Sequence, residues 1–311
     1  MSPLTLFSYR TVSNYSHRVT YFPVDARGIK MNVGLRTLDL AQWFEIDDAR
    51  HDELLDKLEL LAQRRRDVLA MHSIGIAPAL EMWELALDNL TEFHGERFHV
   101  APNHLGQRTV FDHEVGQSVS LVDFVNPLEA LARLLQEDIC IMVRADEGWV
   151  LAGAVLCAPS RWRLMEKMGK TMLGIHEPVP GYAREIGEAV DFTMDRMTVE
   201  RPVYRFNWTL VDDSALFQPD VKLRDDLNDD NIADEVYFRV ERQTLRRLPS
   251  TDAIIFTIRS YVHPVRHIVD SVPEAAEKLL IALESAHPED IAYKNWHRIG
   301  PLLTQWLKNQ G

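Results

Sequence analysis

Residues 139–160 read ICIMVRADEGWVLAGAVLCAPS. Two apolar runs, ICIMV and WVLAGAVLCAPS, flank RADEG, whose acids and glycine suit a tight turn, so the stretch reads as a β-hairpin. Upstream, Leu128 to Leu135 has the pattern of a short helix. Residues 94–126 carry His, Gly, Asn and Pro and read as irregular chain. Trp43 to Phe93 reads as helical: Leu54, Leu55, Leu58, Leu61 and Ala62 recur at helical spacing, and after Pro78 so do Met82, Leu85, Ala86 and Leu90. Downstream, helical patterns run around Arg163 to Met172 and Tyr182 to Met197. Three strands follow, Val203 to Val211, Glu235 to Thr244 and Ala253 to Val262, the last two joined by a turn at Pro249. Pro273 to Ser285 is amphipathic, and Asp290 to Leu307 predicts a final helix. Two strands, then helices, then three strands is the order of a PAS-type sheet, in which five antiparallel strands form a curved wall and the inserted helices close a pocket against it. Another α+β sandwich with the same order is the alternative. The expectation is α+β in one compact unit, with an N-terminal arm and helical extension over 1–100, a PAS-like core over 101–265 and a C-terminal helical extension over 266–311.

Composition narrows the class. Of 311 residues, 34 are Lys or Arg and 47 are Asp or Glu, a net charge of −13. Such a chain lacks the basic stripe of a nucleic-acid binder. At 46% hydrophobic it has enough apolar surface to form a core. Its two cysteines, Cys140 and Cys157, exclude a disulfide framework, a structural zinc cluster and a four-cysteine iron-sulfur centre. The longest nearly apolar stretch, Trp149 to Pro159, is about half the roughly 20 residues that span a bilayer, and reads as a buried strand. The start is Ser/Thr-rich and free of acids before Asp25, with Arg10 and Arg18 as its charges. It lacks the apolar core of a secretory signal; an organelle transit peptide is the alternative to a cytoplasmic location. The sequons at Asn14, Asn89 and Asn207 carry weight only with export.

Several motif matches break on inspection. Gly169-Lys170-Thr171 resembles the end of a P-loop, but the earlier glycine falls at Leu164. In DDLNDDNIADE, taken as a calcium loop from Asp226, Asn231 replaces the turn glycine and Tyr237 the closing glutamate, which leaves a solvated loop. No G-x-S-x-G, H-E-x-x-H, C-x-x-C-H or G-x-G-x-x-G occurs. His263 and His267 have helical i, i+4 spacing, with Pro264 between them at a strand end.

What remains is a set of polar residues in apolar surroundings. In GIHEPVPGY, Pro178 and Pro180 stop the helix and stiffen the chain around His176, placing an imidazole at the mouth of the expected pocket. Held neutral, it is a good ligand for haem iron; capping the preceding helix is its plain structural reading. YRFNWTLV alternates, Tyr204, Phe206, Trp208 and Leu210 on one face and Arg205 and Asn207 on the other. The aromatic face suits plain core, a flat porphyrin or a small amine. In RVERQTLRRLP, Arg239, Glu241 and Gln243 share one face and Val240, Arg242 and Thr244 the other; the arginines suit surface ion pairs or buried carboxylates such as haem propionates. SRWRLMEKMGK adds Arg161, Arg163 and Lys170. Glu137, in QED before the first strand, ends a helix or holds a substrate cation.

GLRTLDLAQWFEID (34–47), QEDI (136–139), PSRW (159–162), GKTMLGIHEPVP (169–180), RFNW (205–208) and ERQTLRRLP (241–249) together make the chain similar to the haem-binding subunit of the haem-dependent oxidative N-demethylases, or dimethylamine monooxygenases, whose haem domain is PAS-like. The resemblance runs in order over about 40–265, its last three segments the most distinctive. It implies haem b and O2-dependent removal of an N-methyl group as formaldehyde. Within its motifs, His176 becomes the expected axial ligand and Arg205 and Arg242 the propionate partners, with Arg163 a weaker one; Trp208 and Asn207 shape the pocket and, with Glu137 as holder of a substrate cation, are the expected catalytic residues. Cys157 is the alternative ligand, although neither cysteine has the F-x-x-G-x-R-x-C-x-G surroundings of thiolate-ligated haem monooxygenases. With no dinucleotide fingerprint and no cluster cysteines, electrons from NADPH are expected through a reductase or ferredoxin-type partner carrying flavin and an iron-sulfur centre, docked on the acidic surface. The competing class is a PAS-like haem or small-molecule sensor or binding protein without turnover; a haem-free protein that keeps only the fold is the third.

Overall fold

The computed structural model describes residues 19–26, 28, 34–222 and 224–310; the Ser/Thr-rich start, with Arg10, Asn14 and Arg18, lies outside the described residues. Its strands are β1 (Arg36–Thr37), β2 (Leu69–Met71), β3 (Phe98–Pro102), β4 (Arg108–Asp112), β5 (Gln117–Ser120), β6 (Asp138–Ala145), β7 (Gly148–Val155), β8 (Val203–Val211), β9 (Tyr237–Arg247) and β10 (Ile254–Pro264). Seven of them form an antiparallel sheet in the order β1-β8-β9-β10-β6-β7-β2, and β3-β4-β5 form a second sheet. The fold is α+β, as expected. The hairpin is β6–β7: Ala145 faces Gly148 across a two-residue loop, and Gly148 has φ 133°, which a side chain would strain. Buried almost throughout, β7 reads as a continuous apolar run rather than an alternating one.

Four expectations change. The sheet has seven strands where five are expected, because β1 and β2 add two and three residues at its edges, too few to carry a period. Residues 94–126 are not irregular; they hold the β3-β4-β5 sheet, whose strands each bury only one or two side chains, such as Phe98, Val110 and Val119. The helical stretch from Trp43 to Phe93 is two main helices, Arg50–Gln63 and Ile76–Phe93, with β2 between them; Pro78 sits in the first turn of the second, where its missing N–H costs nothing. The expected final helix splits into Pro288–Lys294 and Ile299–Lys308, because Asn295 takes left-handed φ 59° and ends the first.

By its contacts the chain divides into two compact units. The larger is built from 34–207 and 241–260. One face of its strands carries Cys140, Met142, Trp149, Leu151, Ile254 and Ile258, and packs on Leu164, Met194 and Met197 from the segment after the hairpin, with Trp162, Met168, Met172, Ile175 and Val203 around them. Full burial of such side chains contributes about 1.5–3 kcal/mol each. On the opposite face Thr244 and Thr257 share a hydroxyl hydrogen bond of 2.6 Å. The smaller unit comprises 208–240, 261–310 and the described residues before 31. Its core stacks Trp208 between Phe238 and Trp296, and the Trp296 indole donates to Leu210 O at 3.1 Å.

Candidate functional site

The short helix Met172–Ile175 is capped at its start by Thr171, whose hydroxyl accepts from the Gly174 N–H, and ends at His176. Pro178 and Pro180 forbid its continuation. His176 turns back, and its Nδ1 lies 2.9 Å from Met172 O. A carbonyl only accepts, so Nδ1 carries the proton and Nε2 keeps a lone pair. The ring stacks on Tyr182, with centroids 4.3 Å apart and planes 8° from parallel. Burial, then Lys167 and Arg205 nearby, push its pKa down, so the ring is neutral at pH 7 despite the opposing hydrogen bond to Met172.

Arg205 stands on the same side of β8 as Val203, which packs into the apolar layer. Its pKa is lowered by burial against the opposing pull of Glu241 and Tyr182, and its Nε lacks a hydrogen-bond partner. A half-buried guanidinium stays charged and favours an anion. Asn207, two residues on, donates to Glu241 at 3.3 Å, and Gln243 donates to the same carboxylate at 3.0 Å. The alternation read from sequence therefore gathers Arg205, Asn207, Glu241 and Gln243 on one face across neighbouring strands. Tyr182 was not singled out; an aromatic six residues beyond His176 in HEPVPGY is its only signal. Its hydroxyl has no hydrogen-bond partner, and burial raises its pKa to about 12.

Other singled-out residues lie elsewhere. Arg242, on the opposite face of β9, donates to Gln42 O, pairs with Glu45 at 3.4 Å and lies over Tyr204. Trp208 belongs to the aromatic stack of the smaller unit, where Arg239 donates to Leu216 O at 3.1 Å. Arg163 is exposed at the start of the helix Leu164–Lys167. Both cysteines are free and buried; burial, then Asp138, raise the Cys157 thiol to about 12 and push Cys140 up as well, so both are protonated at neutral pH.

Glu137 sits in a buried polar network that sequence reading did not foresee. Its Oε1 accepts from Glu45 N–H at 2.8 Å, and its Oε2 has no hydrogen-bond partner. Next to it Arg259 bridges Asp47 at 2.7 Å and Glu53 at 2.8 Å, and Gln136 donates to both carboxylates. Burial raises Glu137 to about 7, against the Glu45 N–H and Arg259, which lower it. The native state then holds a proton that the unfolded chain releases near the ordinary carboxylate value, so this contribution is full below about 4.5 and fades as pH rises to about 7. In urea melts, Glu137→Gln should match the parent near pH 4.5 and exceed its stability at pH 8; equal pH dependence would show that Glu137 ionises freely when folded.

In the larger unit an antiparallel wall, an apolar layer, a neutral imidazole and a half-buried arginine come together on one side of the sheet, in a protein of the α+β class. Among the described residues no three metal-binding side chains converge, whereas haem needs one protein ligand. The profile of the family described as haem-dependent oxidative N-demethylase, alpha subunit-like, matches residues 34–304. The chain belongs to that family. Among the described residues no helix is long and apolar enough to cross a membrane.

Proposed function

We propose that the chain is the haem-carrying subunit of an oxidative N-demethylase for a small methylated amine such as dimethylamine. His176 carries the reading: its Nδ1 is engaged by Met172 O, its Nε2 is left for iron, and burial keeps it neutral. Haem b would be held by His176, and Arg205 beside it would offset the charge of a propionate. The five longest strands are taken as a PAS-like wall, since β8-β9-β10-β6-β7 keeps the later three strands together beside the hairpin. The haem core is assigned to 101–265, between the two extensions, and the location to the cytoplasm.

Bound and reduced haem supplies O2 activation; overall, the N-methyl amine, O2, two electrons and two protons give the demethylated amine, formaldehyde and water. The chain's own residues bind and orient. Tyr182 holds the imidazole plane, Arg205 offsets negative charge, and Asn207 with Glu241 and Gln243 offers polar contacts beside the apolar layer. Arg163 is kept as a weaker anion partner. Arg242, which pairs with Glu45, Trp208 in the aromatic stack of the smaller unit, and Glu137 in the Arg259 network are assigned to packing and to buried polar contacts. Electrons are assigned to a separate flavin and iron-sulfur reductase using NADPH, and the acidic surface mildly attracts a cationic amine.

Haemin added to the purified chain should produce a Soret band, and the loaded protein with dimethylamine, O2 and an electron donor should release formaldehyde. Failure to take up haemin overturns the assignment. A Soret band with no formaldehyde from any methylated amine makes the chain a haem sensor or binding protein.

A further inference from the structure

We propose that the outer edge of β2, with the groove beside it, docks an acidic extended segment of a partner protein as an added strand. β2 ends the seven-stranded sheet next to β7. Its register sets Ala70 opposite Ala154, and His72 N–H donates to Ala152 O while Leu156 N–H donates to Val68 O. Even-numbered residues thus bond to β7, and Leu69 and Met71 turn their backbone groups outward. The Leu69 N–H is taken by Arg65 O. The Leu69 carbonyl and both backbone groups of Met71 have no backbone partner among the described residues. Such a row is what an incoming strand pairs with.

The groove beside this edge has a volume of about 480 Å³ and is lined by Arg66, Asp67, Met71, His72, Met165 and Met168, among others, with Asp67 held by Arg64 at 2.8 Å. Met165 is 60% exposed. Methionines adapt to varied partner side chains. Charge selects the partner. The chain carries −13, yet the two segments that border the groove, 64–72 and 161–170, hold seven Lys or Arg against two acids; among them Arg64 pairs with Asp67, Arg65 with Glu129, and Lys167 donates to Ile175 O. Arg66, Arg163 and Lys170 on them are exposed. A second copy pairing edge to edge would bring two such basic rims together, which like charge opposes. Basic residues also shield sheet edges from unwanted pairing, and the test separates the two uses.

The probe is a fluorescently labelled peptide of alternating Glu and Val, titrated into the full chain and followed by anisotropy. Saturable binding is expected. It should weaken about tenfold or more when Lys replaces Glu, when alternate backbone nitrogens are methylated, and when salt is raised well above physiological strength. The exposed double substitution Arg66→Glu with Lys170→Glu should cause the same loss without disturbing the fold. No saturable binding, or binding indifferent to peptide charge or to N-methylation, overturns the proposal and leaves the basic residues as edge shielding. Self-association of the peptide-free chain that Arg66→Glu with Lys170→Glu changes would assign the edge to a second copy instead. None of these outcomes depends on whether the chain binds haem.

Discussion

Replacing His176 with alanine should cost the chain about 100-fold or more in haem affinity and remove the Soret position of the parent complex. Loss of a partner one shell out from a metal already costs about 10–100-fold, and His176 is proposed as the ligand itself. The ring is prepared for that role in three ways: Nδ1 is bound to Met172 O at 2.9 Å, Tyr182 stacks on its face, and burial keeps it uncharged. The backbone ends its helix either way, since Pro178 and Pro180 do that, so the variant should keep the parent's circular dichroism. Added imidazole should restore part of the spectrum. Haem affinity of the parent should hold as pH falls to about 6.5, because the native ring protonates below the ordinary imidazole value. Below that pH the unfolded chain takes up its proton first, so stability falls as pH drops further. Unchanged ferric and ferrous spectra in the alanine variant would move the ligand elsewhere. A protonated Cys157 is a poor substitute.

Arg50→Met should destabilise the larger unit by about 3–5 kcal/mol, the usual cost of stranding a buried charge. Arg50 is fully buried and reaches Asp112 at 2.5 Å, Glu114 at 2.9 Å and Leu134 O at 2.9 Å, and its guanidinium lies over Phe98. It thereby ties the helix Arg50–Gln63 to β3 and to the end of β4. Without it Asp112, also fully buried, keeps among the described residues only the backbone N–H donors of Glu114 and Val115. Glu114 retains Arg97. With total stabilities of about 5–15 kcal/mol, a loss of that size should appear as a large fall in urea midpoint. Adding Asp112→Leu should recover much of it, since the penalty lies in the unpaired charge. A single variant within about 1 kcal/mol of the parent would mean that water reaches Asp112.

Much of this architecture was legible in advance. The β6–β7 hairpin showed itself because both strands are buried and uninterrupted, and β8 to β10 because they are long enough to alternate. The faces of β8 and β9 were also readable: Arg205 with Asn207, and Glu241 with Gln243. β1, β2 and the β3-β4-β5 sheet were not, since strands that bury one or two side chains leave almost no period. The role of Arg50 was equally hidden, because its partner is 62 residues away and neither residue lies in a recognisable motif.

Chain chemistry alone determined the α+β class, the long strands, the family motifs and the stiff loop that carries His176, since these follow from local periodicity, from proline and from side-chain type. Tertiary structure decided which strand faces meet His176. Alternation says that Arg205 and Arg242 each have a side, but only the pairing of β8 with β9 and the packing of 164–197 put Arg205 beside His176 and turn Arg242 toward Glu45. It also decided that Glu137 belongs to a buried carboxylate and arginine network, because the burial and the opposing charges that set its proton come from residues as distant as Glu45 and Arg259.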